Sequence, residues 1–153
     1  MPHNGPQTIF GGRFRYQPSR TSGLFTDSDF QAIIRYFIEQ GSILNSHSAI
    51  YTVMFHGNLT ACWWNCPHCP QDCGGAAGYH SYFANPPNSN TLLKYSILGD
   101  PTTSIPINRG AIPFPEGVTT YPNDDPASAC MSTTYMHEVI GIITNPTGKN
   151  DIV

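Results

Sequence analysis

The chain has 153 residues, enough for one domain with its own core, and a formal net charge of −3. Its seven Lys and Arg residues are scattered, so no basic patch for nucleic acid is expected, and no apolar run reaches the roughly 18 residues of a membrane-spanning helix. Charged residues make up only 11%, against roughly 25% in an ordinary soluble domain, which favours a surface carrying glycans or covered by neighbouring subunits.

The N-terminal segment, residues 1–17, is predicted to be an extended arm. Within it TIFGGRFRYQ, residues 8–17, alternates around a Gly pair and is typical of a strand with a bulge. We expect the arm to add a strand to the open sheet edge of a neighbouring subunit. Residues 18–153 are expected to form a single α+β domain with a mixed sheet and two main helices.

The first helix is predicted to start after Thr26, with Asp29 three residues on as in a capping box, and to end at Gly41. Apolar residues follow at helical spacing and predict a face that packs on the sheet. They are Phe30, Ile33, Ile34, Phe37 and Ile38.

Three strands and a second helix follow. AIYTVMF, residues 49–55, predicts a buried strand, and GYHSYF with LLKYSIL predict two more. A strand before the first helix and one after it indicate a parallel pair with a right-handed crossover, whereas the later strands suit antiparallel pairing. After a proline-rich loop over residues 99–126, the second helix runs from about Pro126 to Thr144, and Asn145-Pro146 ends it.

The cysteines predict disulfide bonds, because four of the five fall within 12 residues of a low-charge chain. A zinc knuckle is the alternative, since Cys66 and Cys69 have C-x-x-C spacing with His68 between them. An odd number leaves one thiol unpaired within the chain. The five are Cys62, Cys66, Cys69, Cys73 and Cys130.

The second helix carries His137-Glu138, which begins like the helix of a zinc peptidase. Spacing places Cys130, Thr134, His137 and Gly141 on one stripe. Such an enzyme needs a second ligand one turn after the His, and Gly141 has no side chain. We interpret the site as catalytically degenerate, with no cofactor and with His137 as a partly buried histidine bonded to a polar neighbour.

A zinc hydrolase is the alternative interpretation of the same residues. His137 would be one ligand, Glu138 the general base, and a histidine from outside the helix a further ligand. His80 is the main candidate for that ligand, and His56 and His68 are the others.

Four stretches in order along the chain resemble the EXORDIUM, or phosphate-induced, family of secreted cell-wall proteins. They are IYTVMFHGNLT, CGGAAGYHSYF, LKYSILGDP and ACMSTTYMHEVIGIITNP, and the resemblance as a whole covers roughly residues 24–146. The resemblance implies an extracellular, wall-associated protein with a zincin-like fold and no firmly assigned activity. The family carries a Glu one turn after the His, where this chain has Gly141.

Asn58 begins the Asn-Leu-Thr sequon and is predicted to carry an N-linked glycan. Trp63, Trp64 and Tyr82 could stack on sugar rings, although packing over the cystines of a small core is the more ordinary role for such side chains.

Together these features predict a secreted, extracellular glycoprotein that self-associates as a structural component of a wall, matrix or fibril. A zinc-dependent hydrolase and a carbohydrate-binding module that recognises wall polysaccharide are the two alternatives.

Overall fold

A computed structural model describes residues 11–17, 23–55, 59–62, 78–99 and 126–145, with Gly23, residues 59–62 and residues 126–127 described in their backbone only. These ranges contain five strands and two helices. In chain order they are β1 (Gly23–Thr26), α1 (Asp27–Glu39), β2 (Ile50–Phe55), β3 (Leu59–Cys62), β4 (Gly78–Ala84), β5 (Leu92–Gly99) and α2 (Pro126–Thr144).

Helix α1 begins and ends where the sequence predicts. Thr26 is the N-cap, and its backbone N–H donates to the Asp29 carboxylate at 2.8 Å. Gly41, just past the helix, has a φ of 67°, a left-handed conformation that glycine adopts without steric cost. Its N–H donates to the Ile38 carbonyl at 2.9 Å and closes the last turn.

The main sheet is mixed and has the strand order β2-β5-β4. Strand β5 pairs in parallel with β2, from Ile50 opposite Lys94 to Phe55 opposite Gly99, and antiparallel with β4. A separate two-stranded parallel sheet joins β1 to β3. The predicted α+β class with a mixed sheet and two helices is confirmed, including the antiparallel pairing of the later strands.

Strand β2 departs from the prediction of a fully buried strand. It lies at an edge of the main sheet, so Ile50 and Met54 are exposed and the residues between them are only half-buried. Apolar, β-branched residues suit central and edge strands alike, and the sequence pattern therefore did not distinguish the two.

The predicted strand over residues 8–17 is not present in its described part, because residues 11–17 have no regular secondary structure. This segment lies against α1 instead. The Phe14 ring is 5.6 Å from that of Phe37, and the Tyr16 ring is 5.6 Å from that of Tyr36. Residues 8–10 lie outside the described ranges, and so do residues 100–125 of the loop predicted over residues 99–126. Among the described residues, the parallel pair that encloses α1 in sequence is β1 with β3 in the smaller sheet, and β2 pairs in parallel with β5 in the main sheet.

The two helices cover opposite faces of the main sheet, because alternate residues of a strand point to opposite sides. On the α1 face the core includes Phe30 and Ile34 of the helix with Tyr79, Phe83 and Tyr95 of the strands. On the α2 face the buried residues include polar side chains. They are Cys130, Thr134, Glu138 and Ile142 of α2 with His80, Ser96 and Leu98 of the strands.

No helix in the described ranges is long and apolar enough to cross a membrane.

Candidate functional site

A row of polar side chains crosses the main sheet beneath α2. Thr52 of β2 pairs in register with Ser96 of β5, and Ser96 pairs with His80 of β4. All three therefore point to the same face of the sheet. The Thr52 and Ser96 hydroxyl oxygens are 2.9 Å apart and satisfy one another by a hydrogen bond.

His80 meets Glu138 of α2 at the end of this row. Its Nδ1 lies 2.7 Å from the Glu138 Oε2 atom, and both side chains are 0% exposed. A carboxylate only accepts hydrogen bonds, so against an ionised Glu138 the His80 Nδ1 carries the hydrogen and donates it. Burial makes the pair interdependent, since removing either partner leaves a polar group in the interior without compensation.

Gly141 provides the space for the imidazole. A Cβ atom at this position would lie 2.4 Å from His80 Cε1 and 2.9 Å from Nδ1, closer than non-bonded atoms approach. The position at which a zinc-peptidase helix carries its second ligand is thus occupied, in space, by the ring of a histidine from β4. No side chain larger than hydrogen fits there unless His80 moves.

Gly78 makes a second close approach between the sheet and α2. A Cβ atom on it would lie 2.7 Å from the Ile97 carbonyl oxygen and 2.9 Å from the Thr134 methyl carbon. Two glycines, one on the sheet and one on the helix, therefore allow α2 to lie close enough for Glu138 to contact His80.

The prediction that His137 is a partly buried histidine on one stripe with Cys130 and Thr134 is wrong. His137 is exposed, and the buried line runs through Cys130, Thr134, Glu138 and Gly141. Helical spacing from Cys130 allows either His137 or Glu138 to follow Thr134 on this face. The structure selects Glu138 because its partner, His80, lies beneath it. The grouping of His137 with His80 as ligands of one ion, which the alternative zinc hydrolase requires, does not occur in the described structure, since His137 is exposed and the His80 side chain is fully buried.

The second polar atom of each side chain in the pair has no hydrogen-bond partner among the described residues. His80 Nε2 and Glu138 Oε1 are buried and make no hydrogen bond to a described residue. An imidazole oriented by a carboxylate is the arrangement found in general bases and in metal-ligating histidines. In the described part of the chain no group of three or more His, Cys, Asp or Glu residues is placed to hold a metal ion.

Cys130 lies on the same buried face and carries a free thiol. Burial raises its pKa, and a hydrogen bond with the Thr134 side chain acts in the opposite direction. A thiol with a raised pKa is a poor nucleophile and a poor metal ligand, because both roles need the thiolate. Its free state is consistent with the unpaired thiol that an odd number of cysteines requires.

Most of the other predicted site residues lie outside the described side chains. Tyr82 is half-buried on β4, and its role in sugar stacking stays a prediction. Those outside are Asn58, Trp63, Trp64, Cys62, Cys66, Cys69, Cys73, His56 and His68.

A second polar cluster lies on the α1 face and was not predicted from the sequence. The Tyr79 hydroxyl donates to Asp27 Oδ1 at 2.7 Å, and the Tyr95 hydroxyl donates to the same oxygen. Gln31 donates to Asp27 Oδ2 at 2.7 Å. Burial raises the pKa of both tyrosines, and the negative charge of Asp27 raises it further. The only local signal for this cluster is an Asp in the first turn of α1.

Comparisons of the chain with family models, with curated proteins and with solved structures give no match. The resemblance to the EXORDIUM family therefore rests on the four sequence stretches quoted above.

Proposed function

We propose that this protein is a secreted glycoprotein that self-associates as a structural component of an extracellular wall, matrix or fibril, and that its zincin-like core is catalytically degenerate. The observation that carries the structural, non-catalytic part of this proposal is the complete burial of both His80 and Glu138. A general base has to reach the proton that it abstracts, and a catalytic zinc keeps one position open to water or substrate.

The contacts of the pair support a structural role. His80 lies against Gly141, and its Nδ1 contacts Glu138 one helical turn away, so a single side chain joins β4 to two positions on α2. Buried polar pairs of this kind disfavour other packing arrangements, because every shifted position of the helix leaves both groups unpaired. In this proposal, residues that resemble a peptidase site hold the helix at one place on the sheet.

The extracellular location is supported by the sequence. Few charges, the Asn58 sequon, the clustered cysteines and the EXORDIUM resemblance all fit a glycosylated, disulfide-containing protein outside the cell. The proposed glycan at Asn58 would also raise the solubility of a low-charge surface.

The zinc hydrolase is the alternative that this geometry disfavours, because its two candidate ligands, His137 and His80, do not share a solvent-accessible site. The carbohydrate-binding module depends on Trp63, Trp64 and Tyr82. Titration with wall polysaccharides tests it directly, since unchanged tryptophan fluorescence would contradict it.

Intact mass and metal analysis of the protein from its native source test the proposal. We expect excess mass that an N-glycosidase removes and that Asn58→Gln lacks, with no stoichiometric zinc. We also expect one thiol, Cys130, to react with iodoacetamide without reductant, and only after unfolding. One zinc per chain, together with hydrolytic activity lost in Glu138→Gln, would overturn the proposal.

A further inference from the structure

We infer that the outer edge of β2, as the described part of the sheet has it, is the surface through which two copies of this chain associate, by antiparallel β2-β2 pairing with Thr52 at the twofold axis. This inference rests on the proposed function, which includes self-association, and identifies the interface that carries it.

The two outer strands of the main sheet differ in how they are covered. In the described part of the chain β2 pairs with β5 alone, and each residue of β2 is exposed or half-buried. Strand β4 lies at the other edge, but Gly78, Tyr79, His80 and Phe83 are buried there. Of these two edges, that of β2 is therefore the more accessible to another strand.

Strand β2 lacks the features that block edge pairing. Soluble proteins protect such edges with Lys, proline, bulges or very short strands, because unpaired N–H and C=O groups bind other strands. The six residues IYTVMF include no charge, no proline and no glycine. A segment of this composition is typical of strands that pair with identical copies of themselves.

The exposed side chains of β2 match an identical strand. Ile50 is 37% exposed and Met54 is 58% exposed, and both share one face of the strand with Thr52. In an antiparallel pair centred on Thr52, Ile50 of each copy lies opposite Met54 of the other and on the same face. Both apolar side chains are then covered, and no charge is brought into the interface. A second copy is the occupant that these side chains favour, because a partner with charged residues opposite Ile50 and Met54 would have to lose their hydration against apolar groups.

Two double variants with the same number of new charges test the pairing and its register. Ile50→Lys/Met54→Lys places like charges opposite each other across the proposed interface, whereas Ile50→Lys/Met54→Glu places opposite charges there. By sedimentation velocity we expect the wild type and the Lys/Glu variant to associate, and the Lys/Lys variant to have a dissociation constant at least about tenfold higher than the Lys/Glu variant. Ile50 and Met54 are both exposed, so the new charges lie in solvent in the monomer, and circular dichroism checks that each variant is folded.

The matched control is Ile140→Lys/Ile143→Lys, which changes two side chains, 53% and 69% exposed, on the outer face of α2. We expect it to associate like the wild type. Wild-type association that neither β2 variant alters would overturn the edge pairing and leave the structural role standing. A wild-type chain that stays monomeric at every concentration would overturn the pairing together with the self-association in the proposed function. Association lost on deleting residues 1–17 but kept in the Lys/Lys variant would assign the interface to the arm instead.

Discussion

Glycine at position 141 is explained by the His80 ring that lies against it, and not by any requirement of the helix. Glycine inside a helix is less favourable than alanine by about 1 kcal/mol. In α2 the buried contact between Glu138 and His80 offsets this cost. That contact requires the helix to lie close to the sheet, and a side chain at position 141 would prevent it. Packing against His80 therefore explains why this chain has Gly141 where a peptidase helix carries its second metal ligand.

Replacing Gly141 with alanine is expected to destabilise the protein by about 1–3 kcal/mol, because the added methyl group overlaps the imidazole and outweighs the gain in helix propensity. Urea unfolding followed by circular dichroism measures the change. Gly11→Ala is the matched control, since an added Cβ there has no atom within 4 Å. A Gly141→Ala variant more stable than the wild type would mean that His80 moves aside at little cost.

Helix α1 is attached to the sheet by a polar link as well as by its apolar face. Asp27, in its first turn, accepts hydrogen bonds from the buried hydroxyls of Tyr79 on β4 and Tyr95 on β5. Ionising either tyrosine would place a second negative charge beside Asp27 in the interior. Burial of the two phenols, together with this charge, makes the folded protein hold both phenol protons more tightly than the unfolded chain does, and the pKa values of Tyr79 and Tyr95 are therefore raised.

Alkaline pH is therefore expected to destabilise the fold. Below pH about 10 the tyrosines are protonated in both states, and their contribution is fully present. Above that pH the unfolded chain releases protons that Tyr79 and Tyr95 retain, so the free energy of unfolding falls by up to about 1.4 kcal/mol per pH unit for each tyrosine. Urea unfolding from pH 9 to about 11.5 measures the slope. Tyr79→Phe/Tyr95→Phe should flatten it, Tyr36→Phe controls for tyrosine content, and an equal slope in all three proteins would contradict the assignment.

At the scale of the whole molecule, aromatic contacts hold the described part of the N-terminal arm, residues 11–17, against helix α1. Phe14 and Tyr16 lie against Tyr36 and Phe37 on the exposed side of α1, with ring centroids 5.4–6.2 Å apart within this group. The arm residues remain more than 40% exposed, so these contacts cover them only in part. An arm held this weakly can leave α1, and its predicted role as a connecting strand between subunits needs that release.

Phe37→Ala is expected to release the arm, because Phe37 contacts both Phe14 and Tyr16. Loss of two aromatic contacts should raise the rate of tryptic cleavage after Arg13 and Arg15 roughly tenfold. Mass spectrometry of timed digests measures this rate. Leu44→Ala, at a side chain that is 80% exposed and outside the aromatic group, is the control. Equal cleavage rates in Phe37→Ala and the wild type would show that the arm is held elsewhere.

The sequence by itself determined the elements whose signals are local. The Thr26 and Asp29 capping residues, the apolar spacing after them and Gly41 located α1, and Asn145-Pro146 located the end of α2. The strands β4 and β5 followed from short alternating and apolar runs. Each of these signals acts between residues a few positions apart, where backbone geometry limits the choices.

Only the tertiary structure decided which residues form the candidate site. His80 contacts Glu138 across 58 residues of chain, and Tyr79 and Tyr95 contact Asp27 across 52 and 68 residues. Helical spacing permitted His137 or Glu138 to face inward, and strand composition permitted β2 to be central or at an edge. Those choices depend on which partner lies opposite after the chain has folded, and no local preference of the residues themselves contains that information.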